Sequence, residues 1–198
     1  MGCLFTVDLE EYWDALPEDE FDGTDHFLSN TLYLFDTLGK YKVKAIVYVL
    51  GRIAKNHSDL IKYLYLDNHM IGSHGYFHEH AERQGDKSDL LARKYLPKSA
   101  SFHYRSPYWD TTPMPRPPAG GFFFRIMPYQ YTRWAVLKSN QFWIHPHDID
   151  IAHPKLKNKL LDWKRHIGLD SSRNKLERLL KDIKWDNPCQ SANQLQKS

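Results

Sequence analysis

Cysteine is nearly missing. The two thiols in 198 residues, Cys3 and Cys189, stand near opposite ends with no partner at ligand spacing, which argues against a disulfide framework or a thiolate zinc site. No run of eighteen apolar residues occurs, so no membrane-spanning helix is expected. The opening "MGCLFTVDLEEYWD" enters acidic sequence without the basic and apolar regions of a signal peptide, and a cytoplasmic chain is the expectation. A surplus of one charge is also absent. The net charge is +3 with a pI near 8.7, and Lys and Arg are interspersed with Asp and Glu. No basic stripe marks a nucleic-acid partner.

What is present is an ordinary globular composition, 41% hydrophobic and 26% charged, enough for one core. One domain over residues 1–186 with a polar tail over 187–198 is expected, without internal repeats. Aromatics make up 14% of the chain, which suits either a surface that stacks on sugars or bases or an aromatic core.

Segments of alternating type set the fold class. "CLFTVDL" (3–9), "KAIVYVLG" (44–51) and "MIGSHG" (70–75) have the apolar runs of buried strands. Between them "SNTLYLFDTLGKY" (29–41) has helical spacing, with Ser29 or Asn30 as cap, Leu32, Phe35 and Leu38 on one face and Gly39 as terminator. "SDLIKYLYLDNH" (58–69) repeats the pattern, capped by Ser58 with Ile61, Leu64 and Tyr65 aligned. Strand, helix, strand, helix, strand predicts a parallel α/β sheet. Residues 97–128 hold seven prolines and a Gly-Gly pair and read as loop, with a short strand at "GGFFFRI". "QYTRWAVLK" is predicted helical and "QFWIHPHDID" a strand meeting a polar end. In "DSSRNKLERLLKDIKW" (170–185), Asp170 or Ser171 caps a helix whose buried stripe is Leu176, Leu179, Leu180 and Ile183.

Ligands gather beyond the carboxyl ends of parallel strands. Three segments place ionisable groups at such ends: Thr6 to Glu11, Gly72 to His80 and Trp143 to Asp150. His74 and His78, four apart, can converge on one ion, and a carboxylate from the first strand can add an oxygen. Alternation by two puts Asp8 and Glu10 on one face. Two acids so close repel unless a cation or proton separates their roles, although acids at a helix entrance would look the same.

The blocks "FTVDLEEYWD", "KAIVYVLGRIAKNHSDLIKYLYLDNHMIGSHGYFHEH", "GGFFFRIMPY", "WIHPHDID" and "HIGLDSSRNKLERLLKDIKW" resemble successive motifs of the polysaccharide deacetylases, carbohydrate esterase family 4, and within them a cytoplasmic branch. The resemblance implies a distorted or incomplete (β/α) barrel. It implies Asp8 as general base and Glu10, His74 and His78 as ligands of a divalent metal, zinc with cobalt or nickel as alternatives. It further implies that His145 protonates the leaving group, with His147 and Asp148 supporting it, and that Arg105 in "YRSPYW" orients the base. His80 is then a bystander.

The implied reaction is removal of N-acetyl or O-acetyl groups from an acetylated sugar or polysaccharide precursor by metal-activated water. The oxyanion would lean on the metal and a backbone N–H near Tyr76, and Tyr108, Trp109 and Trp143 are candidates to stack on sugar rings. Two departures stand out: most members carry Asp where Glu10 stands, and only 42 residues separate His78 from Gly121, fewer than the branch usually has. They leave open a truncated relative that binds carbohydrate without turnover, and a metal hydrolase for another bond.

Overall fold

The structure is a computed structural model that describes residues 2–16, 20, 26–78, 88, 90–97 and 117–189. Its centre is a sheet of four strands, β1 (Leu4–Leu9), β2 (Ala45–Val49), β3 (Met70–Ser73) and β4 (Gln141–Ile144), in the order β3-β2-β1-β4. Every pairing is parallel, with Val7 opposite both Val47 and Ile144, and Val47 opposite Ile71. Among the described residues the sheet does not close, which matches an incomplete barrel.

Helices α1 (Phe27–Lys40), α2 (Gly51–Asn56), α3 (Ser58–Leu66), α4 (Gly121–Ile126) and α5 (Tyr129–Ser139) occupy the crossovers, and α6 (Lys159–His166) and α7 (Leu169–Asp182) follow the last strand. Short 3-10 turns follow β1 at Tyr12–Ala15 and β4 at Pro146–Ile149. β1, β2 and β3 bury both faces, as their continuous apolar runs require, whereas β4 buries Phe142 and Ile144 and leaves Gln141 and Trp143 half-buried. Phe5, Val7, Leu9, Val47 and Phe142 join Leu34, Leu38, Leu176 and Leu179 in one large core, while Ile46, Tyr48 and Met70 form a smaller cluster on the other face. Each such side chain stabilises the fold by roughly 1.5–3 kcal/mol when fully buried. Asp8 pairs in register with Tyr48, so it lies on the face turned away from the main core.

Several boundaries differ from expectation. α1 starts at Phe27 behind His26, and Ser29 donates to the His26 carbonyl from inside the helix. Its buried stripe holds Leu34, Phe35 and Leu38, whereas Leu32 is 41% exposed. The turn beyond it is made by Lys42 at φ 55°, not by Gly39. The stripe of Leu176, Leu179, Leu180 and Ile183 is buried as predicted, but α7 begins at Leu169, and Ser171 donates to the carbonyl of Gly168.

The largest correction is "GGFFFRI", a helix rather than a strand. Gly121 sits at φ +54°, and a Cβ on Gly120 would lie 2.0 Å from the Trp143 carbonyl oxygen. The Gly-Gly pair therefore lets the chain press onto β4 and turn. Helical spacing then buries Phe124 and Arg125, which outweighs the strand preference of three successive aromatics.

Candidate active site

Parallel strands share one carboxyl edge, so the turns leaving β1, β3 and β4 carry Glu10, His74, His78 and His145 to one place. Glu10 is the hub. Its Oε2 lies 2.9 Å from His78 Nε2 and 3.6 Å from His74 Nε2, and its Oε1 lies 3.2 Å from His145 Nε2. Glu10, His74 and Asp8 are buried, at 2%, 1% and 5% exposure.

Among the described residues no hydrogen bond of regular geometry reaches Glu10 Oε2, although both imidazoles stand close enough to act on its charge. Ligand atoms of Glu10, His74 and His78 all lie within 4.8 Å of one another. A buried carboxylate oxygen facing two imidazole nitrogens is a donor set that suits a divalent cation. Glu10, His145 and His147 form a second trio within the same limit. That trio has the Arg165 guanidinium 3.0 Å from His147 Nε2, and a fixed positive charge there opposes a cation. The first trio is the better candidate for a metal.

The titratable groups respond strongly to burial and to one another. Burial alone would push the Glu10 carboxyl up, but the charge of His145 with the contacts from His74 and His78 outweighs it and holds Glu10 well below the usual carboxylate range. Burial opposes the His145 cation, yet Glu10 and Asp148 overcome this and raise it to about 9. Burial, then the charges of His145 and Arg165, keep His147 neutral by driving its pKa well down. Burial also works against charge on His78, but Glu10 raises it.

His145 is held from behind. Its Nδ1 lies 2.8 Å from Asp148 Oδ2, its backbone N–H donates to that same oxygen at 3.0 Å, and its ring stacks on His147 at 4.5 Å and 11°. Arg125 Nε donates to Asp148 Oδ1 at 3.1 Å, and Arg125 Nη1 donates to the carbonyls of Lys164, Arg165 and Ile167. The loop is fastened on its other side by Asp150, whose Oδ2 is 3.0 Å from His26 Nδ1.

Glu10, His74, His78 and His145 are thus brought together, with His147 and Asp148 beside them. Asp8 is near enough for its charge to act on His145. Arg105, His80, Tyr108 and Trp109 lie outside the described residues. The Tyr76 N–H donates to Ser88 Oγ at 2.8 Å. Trp143 packs under Gly120 and Gly121 and meets His145 edge-on at 5.2 Å. Sequence reasoning missed Arg125 and Arg165. Arg125 stands in the quoted "GGFFFRIMPY" block, but nothing local points it at a residue 23 positions away.

An edge of parallel strands bearing a carboxylate and two imidazoles defines the class: an α/β barrel-like protein with a candidate metal site at the carboxyl ends of its strands. A model described as polysaccharide deacetylase matches residues 20–120, and a domain of unknown function, DUF3473, matches residues 107–192. The first match spans just over half of the sequence, and the chain belongs to the polysaccharide deacetylase family. Asp8 and Glu10 precede that match and His145 follows it, so it is the fold that unites them with His74 and His78.

Among solved structures, a family 4 acetyl xylan esterase from Clostridium thermocellum, in complex with a cobalt ion, is 18% identical with a TM-score of 0.51, over 92% of this chain and 86% of that one. A peptidoglycan N-acetylglucosamine deacetylase is 15% identical with a TM-score of 0.50, over 92% and 84%. An allantoinase is 11% identical with a TM-score of 0.53, over 90% and 82%. At such identities the likeness shows a shared fold. No curated protein matches the sequence. No helix among the described residues is long and apolar enough to cross a membrane.

Proposed function

We propose that this protein is a metal-dependent deacetylase that removes N-acetyl or O-acetyl groups from a sugar or polysaccharide precursor. The observation that carries this is the convergence of Glu10, His74 and His78, a buried carboxylate and two imidazoles whose ligand atoms lie within 4.8 Å of one another. A divalent cation held by these three residues, zinc or else cobalt or nickel, would supply a Lewis acid that polarises an acyl carbonyl and makes water acidic near neutral pH.

The chain's own groups do the rest. Asp8 takes the proton of the attacking water on a carboxylate oxygen. His145 turns its Nε2 to the same edge and delivers a proton to the departing amine or alcohol. Asp148 accepts from His145 Nδ1, which fixes the ring and favours its cation. Burial of Glu10 and His74 keeps bulk water from competing with these contacts.

The test joins metal content to turnover. Purified protein should carry about one equivalent of metal, lost in the His74→Ala, His78→Ala double variant, and should release acetate from N-acetylglucosamine oligomers or acetylated xylan. Asp8→Asn should keep the metal while acetate release drops by about 100-fold or more. Wild-type protein that takes up no metal would refute the proposal. The open four-stranded sheet favours a second reading, a carbohydrate-binding relative without turnover. It would bind those oligomers and release nothing. A hydrolase for another bond would hold metal and leave both substrates intact, since one fold hosts many chemistries.

A further inference from the structure

We propose that Arg125 is a positioning residue for His145, acting through Asp148 and coupling the imidazole to the carboxyl end of α6. The inference rests on the reading of His145 as proton donor and adds a guanidinium which that reading does not contain.

Arg125 is 6% exposed and spends its donors on two different elements. Nε goes to Asp148 Oδ1 at 3.1 Å, while Nη1 reaches the carbonyls of Lys164 at 3.1 Å, Arg165 at 2.7 Å and Ile167 at 3.1 Å. Those are terminal carbonyls of a helix, where no intrahelical N–H is available and a cation is favoured. The planar fork thus binds a helix end with one arm and a carboxylate with the other, a task a lysine ammonium cannot copy.

Asp148 has few degrees of freedom left. Its Oδ1 is taken by Arg125, and its Oδ2 accepts from the His145 backbone N–H and faces His145 Nδ1. The same helix end supplies Arg165, whose Nη1 lies 3.0 Å from His147 Nε2, and His147 stacks on His145. Both supports of the His145 ring therefore lead back to the last turn of α6. Close backbone packing backs this up: a Cβ on Gly168, at φ +77°, would come within 2.3 Å of the Arg125 carbonyl oxygen. Leu160 and Trp163 on α6 are more than half exposed and no residue of the helix is buried, so polar ties rather than apolar packing hold it. With Arg125 removed, Asp148 keeps its charge but can rotate, and His145 Nε2 loses its fixed aim.

The test uses full-length protein labelled with nitrogen-15 at histidine. The exchange-protected Nδ1–H of His145, hydrogen-bonded to Asp148, should give a low-field proton signal, assigned by its loss in Asp148→Asn. In Arg125→Gln that signal should broaden or vanish while the methyl spectrum of the core is retained. Arg125→Lys, which keeps charge without the fork, should not restore it. With acetate release from N-acetylglucosamine oligomers, Arg125→Gln should lower kcat about 10- to 100-fold at unchanged KM and metal content, the size usual for groups that orient an active-site residue. A sharp, unshifted His145 signal in folded Arg125→Gln overturns the proposal. If Arg125→Gln does not fold, the same unshifted signal in Arg125→Lys overturns it. Wild-type protein that shows the signal but takes up no metal and releases no acetate refutes the deacetylase reading instead, so the two failures are distinct.

Discussion

His69 ties the fold to pH at a place remote from the site. It is 1% exposed at the entrance to β3, its Nδ1 accepts from the Ala45 N–H at 3.1 Å, and its ring meets Phe35 edge-on at 4.9 Å. Burial first, then the Lys44 charge, lowers its pKa from 6.5 to about 4, and Asp67 opposes this only in part. Because Nδ1 serves as an acceptor, protonation would break the Ala45 contact. The unfolded chain binds a proton near pH 6.5 while the folded chain refuses it until near pH 4. Stability from this residue is therefore complete above pH 6.5 and is lost as pH falls. Between pH 7.5 and pH 4.5 the loss is about 2.5 kcal/mol. Against a total near 5–15 kcal/mol, that is a large share. His69→Gln keeps an acceptor for Ala45 and does not titrate. Urea unfolding at both pH values should show wild type losing about 2.5 kcal/mol more than the variant. Parallel losses in the two proteins would refute the reasoning.

Gly120→Ala places a methyl 2.0 Å from the Trp143 carbonyl oxygen, so β4 must shift. The expected cost is about 1–3 kcal/mol in urea unfolding, with altered tryptophan fluorescence. Lys175→Met removes the buried ammonium that donates to the Phe124 and Met127 carbonyls at the end of α4, and burial already depresses that ammonium to about 8. Leaving those carbonyls unpaired should cost about 1–3 kcal/mol, read as a lower midpoint in urea.

How much of this was legible in the sequence follows from the range of each interaction. The strands were legible because burial on both faces leaves a continuous apolar run, as in "AIVYV". Convergence of the polar residues then follows from topology: once the strands are parallel, every residue just past a strand end lies on one edge. That is why the segments carrying Glu10, His74, His78 and His145 could be grouped although they are spread over 136 positions, while the choice of residue within each came from the family resemblance. The helix phase of α1 was misread because Leu32 and Leu34 are both apolar, and only packing against the sheet decides which is buried.

The contacts that aim the side chains carry no local signature. Asp148 lies on a turn whose carboxylate could serve as an ordinary cap, and indeed its Oδ2 accepts from the His145 N–H in that role. Its other oxygen is fixed by Arg125, and nothing in "GGFFFRI" distinguishes an arginine that binds a carboxylate from one in solvent. The deciding feature is Gly120, whose missing Cβ lets the chain lie on Trp143 and start a helix rather than a strand. A helix puts Arg125 on the same side as Gly121, one turn on, and so beneath the Pro146–Ile149 turn. Reading those seven residues as a strand therefore hid the Arg125–Asp148 contact as well as the element. One misassigned period removed a support of His145 from view, because in this chain the contact behind that imidazole depends on backbone geometry set at Gly120.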